Sequence, residues 1–474
     1  MEKPPLIRFI EEHYGRKPPT EHTCTSSVSP HALKDGSSIV IIGGGIAGPA
    51  FARRILSSAV ERGIRLSVTL LSRPNCNYCG GLITDLSLET MRGLYSFEPP
   101  PEVVLTRIDE AVLINPHGSA SVVFESPLAS VFRTSRFGEL GFDDNFRQNI
   151  LTGLPEEAGE LLSVVEPASA TSVEIPGNGR RGAVTFRRIG GSDRVEADLV
   201  VLATGLRSLD SKLISGFREL TGFRPPPLMP ACVTEIDLSG TGTSHIGRRV
   251  LILNGIIEGC VAALIPKRPN WITIAALHKV LTIEDLRRIF EHPVVTQYVE
   301  VEEVESSLPC NKVCPSGVYT SPARNFYGDG WAVVGDLTGY GRVLKDGYFA
   351  ALLGADLAAH TAISHGCSRE AFARHYHAGL KAFEGDNRIG MRLFSLNNAL
   401  TRLEAFNRAM IDAFSAEKAG HPYGGLTHAA FRALSTGELS YSGVLMLFAA
   451  GLLSWAIKHP IRALSSLRGG KRQL

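Results

Sequence analysis

Ser38-Ile39-Val40-Ile41-Ile42-Gly43-Gly44-Gly45-Ile46-Ala47-Gly48 is a short apolar run that passes directly into G-x-G-x-x-G and then into a helical pattern. That order predicts a dinucleotide site. Gly43 allows the tight turn, Gly45 lets the backbone approach a pyrophosphate, and Gly48 lets the following helix pack closely on its strand. The first-turn N–H groups of that helix then face the phosphates. The run 50–56 (AFARRIL) continues as an amphipathic helix, and 66–71 (LSVTLL) reads as a second buried strand. At the end of that strand an acidic residue would ordinarily accept a hydrogen bond from the adenosine ribose. Here Ser72 stands in that place, followed by Arg73. A serine hydroxyl still bonds a ribose hydroxyl, as a neutral and weaker partner.

Three further stretches extend the pattern. Residues 328–336 (GDGWAVVGD) read as a turn, a strand and Gly335-Asp336 at its carboxyl end, before a loop over 337–346 and a helix from Gly347 through Ala359. Residues 198–205 (DLVVLATG) form an apolar strand closing in Ala-Thr-Gly, and 75–83 (NCNYCGGLI) carry a Cys-Gly-Gly shortly after the second strand. Together these motifs resemble the flavoproteins of the para-hydroxybenzoate hydroxylase and geranylgeranyl reductase type. The resemblance implies FAD as cofactor, with Gly43, Gly45, Gly48, Ser72, Arg73, Gly335, Asp336 and Gly347 around it. It places the Asp336 carboxylate on the ribityl chain and aims the helix beginning at Gly347 at the flavin, where N-terminal amides favour the negative charge of the reduced ring. It also puts Cys79 and Gly80 beside the isoalloxazine ring, as the residues nearest the chemistry. The chain departs from the family in three places. Tyr78 replaces the proline of Pro-Cys-Gly-Gly, Lys345-Asp346-Gly347 replaces a proline-rich approach, and the aromatic-x-Trp-x-Phe-Pro-Lys segment survives only as Val261-Ala262-Ala263-Leu264-Ile265-Pro266-Lys267.

The implied fold is α/β: a Rossmann-like FAD-binding domain of glutathione-reductase type, an interrupting antiparallel-sheet substrate domain and a helical C-terminal region. The implied activity is reduction of carbon–carbon double bonds in an isoprenoid or other lipid-like small molecule. The alternative is an FAD-dependent monooxygenase acting as a hydroxylase on a hydrophobic small molecule. A halogenase should show Trp-x-Trp-x-Ile-Pro, and Val261 and Ala263 occupy the places of its two tryptophans. A second G-x-G-x-x-G domain for a nicotinamide is absent from the sequence, so NAD(P)H, a ferredoxin or a quinol each stays open as electron donor.

With 474 residues, 44% hydrophobic and 20% charged, the chain is long enough for two or three domains around a large core. A net charge of +2 without a dense basic patch argues against a nucleic-acid partner. Eight irregularly spaced cysteines do not make a secreted disulfide scaffold, which points to a reducing cytoplasm. The pairs Cys76/Cys79 and Cys310/Cys314 leave three readings open: a metal site, a redox-active pair, or ordinary thiols.

The expected organisation is a loosely ordered leader over 1–36, FAD-binding segments over 37–225 and 310–365, a substrate domain over 226–309 and helices over 366–474. Strands are expected at 250–253 and 271–277, and a helix at 282–290 with Thr282 as N-cap and Asp285 at N3. Residues 443–457 are apolar almost all round, short of the roughly 20 residues that span a bilayer. A tail with Lys458, Arg462, Arg468, Lys471 and Arg472 and no acid follows. Two readings fit: an in-plane anchor on the cytoplasmic face of an anionic membrane, or a buried helix closing a hydrophobic tunnel.

Overall fold

The computed structural model describes residues 32–73, 79–135, 138–177, 180–309, 313–342, 347–418 and 424–462, without the side chain of Ala382. The nucleotide half is a six-stranded sheet in the order Tyr327–Gly328, Trp331–Val333, Leu199–Leu202, Ser38–Ile42, Ser67–Leu71, Leu162–Val165. All its pairings are parallel except the first. Ile39, Val40, Ile41, Val68, Leu70, Leu199, Val200 and Val201 are all buried, as expected where both faces of a parallel sheet are covered. One cover is the helix Ala47–Glu61 packed on Gly347–His365. An ion pair from Arg54 to the buried Asp356 ties these helices together, and a hydrogen bond from the Tyr95 hydroxyl to the Leu352 carbonyl (2.5 Å) fastens the helix Asp85–Tyr95 to the second of them. The other cover is a three-stranded meander, Ala168–Glu174, Gly182–Arg188 and Gly191–Ala197.

The second half is built on an eight-stranded sheet: Cys314–Tyr319, Leu228–Asp237, Trp271–Leu277, Val261–Arg268, Arg249–Asn254, Thr106–Asn115, Gly118–Ser130, Leu82–Ile83. Its two faces follow the alternation of the strands. Ala262, Leu264, Ile272 and Ile274 pack with Leu286, Ile289 and Phe290, whereas Ile265 packs with Met410, Phe414 and Phe431 of the C-terminal helices. The helix Ile283–Phe290 carries the full capping box, Thr282 accepting from the Asp285 amide and Asp285 from the Thr282 amide.

Three expectations are corrected here. The substrate sheet is not confined to 226–309, because it takes Leu82–Ile83, Thr106–Asn115 and Gly118–Ser130 from the first segment and Cys314–Tyr319 from the next. The middle two form a long hairpin whose turn is fixed by the Asn115 side chain accepting from the His117 amide (2.9 Å) and by Gly118 at φ +152°. Nor is the sheet wholly antiparallel: Arg249–Asn254 runs parallel to Thr106–Asn115, since the chain re-enters the sheet beside that hairpin. The leader is packed at its end, where Leu33 is buried, the Gly36 amide donates to the Arg65 carbonyl and Asp35 accepts from the Arg65 amide. Residues 1–31 and 463–474 lie outside the described residues.

Beyond His365 the described chain is helical, with Ala382–Leu400, Glu404–Lys418, Leu426–Thr436 and Tyr441–Lys458 after a π-helical turn at Phe372–His377.

Candidate active site

The glycine loop closes on itself through backbone contacts. A Cβ on Gly48 would lie 1.9 Å from the Gly43 carbonyl oxygen, and one on Gly43, whose φ is +125°, would lie 2.3 Å from the Ala203 oxygen. Only glycine fits either position. The second contact brings the Ala203-Thr204-Gly205 end of its strand directly against the loop. Gly45, in contrast, has nothing within 4 Å of its Cβ position, which leaves its backbone open to a ligand. The helix that follows starts at Ala47 without a side-chain cap and with no acid in its first turn. Its leading amides are therefore free to bind an anion.

Gly335, at φ +73°, sits on this helix start, its Cβ position 2.8 Å from the Ala47 Cβ. The Gly-Asp motif and the glycine loop, 287 residues apart (335 − 48), thus meet at the carboxyl edge of the sheet where strand order reverses. Asp336 lies at the start of the helix Gly347–His365, its Oδ1 3.7 Å from the Cβ position of Gly347. Burial raises the Asp336 pKa above the usual carboxylate range, Arg133 opposes that shift and Asp143 adds to it.

Residues that the sequence reading did not single out surround these motifs. Arg133 makes a forked contact with the buried Asp143 (Nε–Oδ2 3.0 Å, Nη2–Oδ2 2.7 Å), and the Tyr348 hydroxyl donates to Asp143 Oδ1 at 3.1 Å. The guanidinium also lies 5.1 Å from the centre of the Tyr348 ring. Burial disfavours the Arg133 charge, but the Asp143 carboxylate outweighs it, so a fixed cation stands near the Cys-Gly-Gly segment. Burial pushes the Tyr348 phenol well up, and it remains a neutral donor.

Ser72 is buried against the loop, its Oγ 2.1 Å from the Cβ position of Gly44, while Arg73 is exposed. An acid does stand at this edge: Glu166, just past the neighbouring strand, pairs with Arg147 (Nε–Oε2 3.1 Å, Nη2–Oε1 3.0 Å), and Arg147 donates to the Gly44 carbonyl at 3.1 Å. Ser72 and Glu166 thus both stand at the glycine loop, one directly and one through Arg147. Position in the sheet, not in the sequence, reveals the second.

Cys79-Gly80-Gly81 crosses between the two sheets. Lys267, only 1% exposed, reaches it with Nζ and donates to the Gly80 (2.6 Å), Val131 (2.9 Å) and Gly81 (3.4 Å) carbonyls. The remnant Ile265-Pro266-Lys267 thus has a physical role: it pins the Cys-Gly-Gly backbone. Gly80 faces the substrate sheet, its Cβ position 2.8 Å from Ile265 Cδ1 and 3.4 Å from the Ala275 Cβ. Ala263, Ala275 and Ile252, only partly buried, continue that apolar face to Phe406 and Phe448 on the C-terminal helices. Cys76 and Tyr78 lie outside the described residues, as does Cys310, while Cys314 is buried. The described residues contain no cluster of three or more His, Cys, Asp or Glu suited to a metal.

No protein-family model and no curated protein matches this chain. Solved structures do. A geranylgeranyl bacteriochlorophyll reductase-like protein from Thermoplasma acidophilum matches with TM-score 0.58 at 15% identity, over 91% of this chain and 100% of that one. A flavin-dependent brominase matches with TM-score 0.55 at 15% identity, over 89% and 99%. A p-nitrophenol 4-monooxygenase from Pseudomonas putida matches with TM-score 0.52 at 12% identity, again over 89% and 99%. Motifs, sheet order and likeness agree, and the chain has the fold of the FAD-dependent oxidoreductases of geranylgeranyl reductase and para-hydroxybenzoate hydroxylase type.

Proposed function

We propose that this chain binds FAD and reduces carbon–carbon double bonds in an isoprenoid or other lipid-like substrate. The observation that carries the reading is the apolar face beginning at Gly80 and formed by Ile265, Ala275, Ala263, Ile252, Phe406 and Phe448. Such a face orients a long hydrocarbon chain and keeps water from it, and offers nothing to hold a polar substrate.

The residues fit the cofactor. The open backbone at Gly45 and the uncapped helix start at Ala47 take the diphosphate, Ser72 or Glu166 the ribose, and Asp336 the hydroxyls of the sugar-alcohol chain. When bound and reduced, the flavin supplies a hydride. Lys267 holds the Cys79-Gly80-Gly81 backbone in one position at the edge of the reacting space. Arg133, fixed by Asp143 and Tyr348, contributes positive charge to that edge. Cys79 is exposed there and delivers the proton to the alkene carbon that does not receive the hydride, so that two hydrogens are added in all.

The test is anaerobic reduction of purified holoprotein with NADH, NADPH, reduced ferredoxin or a quinol in turn, followed by mass spectrometry of an added polyprenyl lipid. A gain of two hydrogens supports the reading. Product carrying isotopically labelled oxygen from O2 favours the second reading, a hydroxylase, which the likeness to a monooxygenase keeps in view. A polypeptide that stays colourless after incubation with FAD overturns both.

A further inference from the structure

The helix Tyr441–Lys458 is held by one face. Tyr441, Val444, Gly451 and Trp455 are buried, and at Gly451 the packing is so close that a Cβ would lie 2.6 Å from Thr427 Cγ2. The opposite face carries Leu445, Met446, Ala449, Ala450, Leu453 and Ile457, all exposed. Met446 is 66% exposed, Leu453 63% and Ile457 70%, and Ile461 beyond the helix reaches 82%. The four-residue spacing from 445 to 461 makes one continuous stripe. No Asp, Glu, Lys, Arg or His interrupts it from Ser442 to Ile457. The buried-helix expectation therefore fails for this face: among the described residues this is the one helix long and apolar enough to cross a membrane, yet little of it is covered.

We infer that the stripe lies in the plane of an anionic lipid surface. The buried face against Thr427 rules out a span surrounded by lipid. The charge pattern selects the lipid. From Leu439 to Leu474 the sequence holds no acid, and it carries Lys458, Arg462, Arg468, Lys471 and Arg472. Lys458 and Arg462 are exposed at the end of the stripe, where an in-plane helix meets headgroup phosphates. A second copy would bring two such cationic ends onto one interface.

The inner side of this helix leads to the site. Phe448 belongs to the apolar cluster of Ala263 and Ala275, and the Tyr441 ring lies 4.5 Å from the Arg342 guanidinium, in the loop between Asp336 and Gly347. A substrate drawn from the bilayer would thus enter along a continuous apolar surface, which is the part of the inference that rests on the proposed function.

Flotation of the full-length holoprotein in a sucrose gradient tests the docking without any turnover readout. With vesicles of phosphatidylcholine and phosphatidylserine the protein should float, and with phosphatidylcholine alone the bound fraction should drop. Leu453→Glu/Ile457→Glu, at exposed positions that the fold does not need, should reduce the floated fraction about tenfold with flavin content and circular dichroism unchanged. Wild-type protein that stays at the bottom with anionic vesicles overturns the inference, as does a double variant that floats equally well. A wild-type dimer in sedimentation that the double variant dissolves, without flotation of either, would assign the face to a second copy and overturn it too.

Discussion

Gly48 and Gly80 both face space that a Cβ cannot enter, but the obstacles differ in kind. At Gly48 it is the Gly43 carbonyl oxygen, 1.9 Å away; at Gly80 it is the Ile265 methyl, 2.8 Å away. A backbone atom in the middle of a turn cannot yield, whereas the end of an isoleucine side chain can. The nucleotide wall of the site is therefore specified by main-chain geometry, and the proposed substrate wall by exchangeable side-chain volumes. This explains why the glycine motifs persist in full here while the aromatic pattern over 261–265 does not.

The largest effect should come from Gly48→Ala, which has no room to relax. We expect a loss of about 3 kcal/mol or more and no bound flavin, read by the visible absorbance of the purified protein and its urea midpoint. A stable yellow Gly48→Ala protein would break the contrast at its stronger end. Lys267→Met comes next. It removes a charged donor from the Gly80, Gly81 and Val131 carbonyls, and about 3 kcal/mol should be lost in urea unfolding. Bound flavin should still report a loosened ring environment, as broadened fluorescence.

A pH experiment separates the helical support of the substrate wall from the nucleotide wall. The Glu417 carboxylate caps the helix Leu426–Thr436, accepting from the Thr427 and His428 amides, the Thr427 hydroxyl and His428 Nδ1. Burial pulls its pKa up, but the hydrogen bonds from His428 and Thr427 outweigh burial and bring it from the usual 4.5 to about 2. The folded state thus binds the proton less readily than the unfolded chain. The stabilisation is fully present above about 4.5 and is lost as pH falls toward about 2. On the order of 3 kcal/mol should disappear across that window, and Glu417→Gln should flatten it, measured as the urea midpoint against pH.

The smallest effect sharpens the comparison most. Ala263→Trp restores bulk to the apolar face and should leave flavin content unchanged. It should lower kcat/KM for a long polyprenyl substrate about tenfold, near 1.4 kcal/mol, and less for a short one. An equal loss for both lengths would remove Ala263 from the substrate wall.

Much of the nucleotide half was legible in advance, because its signals are local. An apolar strand, a glycine turn and a helix occupy consecutive residues, and the observed Ser38–Ile42, Ala47–Glu61 and Ser67–Leu71 follow the expected order. The Thr282–Asp285 capping box was readable for the same reason. The hairpin Thr106–Ser130 was missed although its alternation and its Asn115-Pro116-His117-Gly118 turn are written in the chain. It lies inside what reads as nucleotide-domain sequence, yet pairs with Arg249–Asn254, more than a hundred residues on. Lys267 was legible as a residue but not as a function, since its three acceptors lie in two other segments.

By itself the sequence determined where the backbone must be glycine, which strands are buried on both faces and where a helix begins, because sterics, hydrophobic periodicity and capping act over a few residues. The tertiary structure alone decided that Gly335 would meet the start of Ala47's helix, that Arg133 would be held between Asp143 and Tyr348, and that Glu166 and Ser72 would both stand against Gly44, Glu166 through Arg147. It also decided which side of the apolar helix at 441–458 would face outward. Those outcomes depend on strand order and on how two sheets and four helices close upon each other, and no short window of residues contains that information.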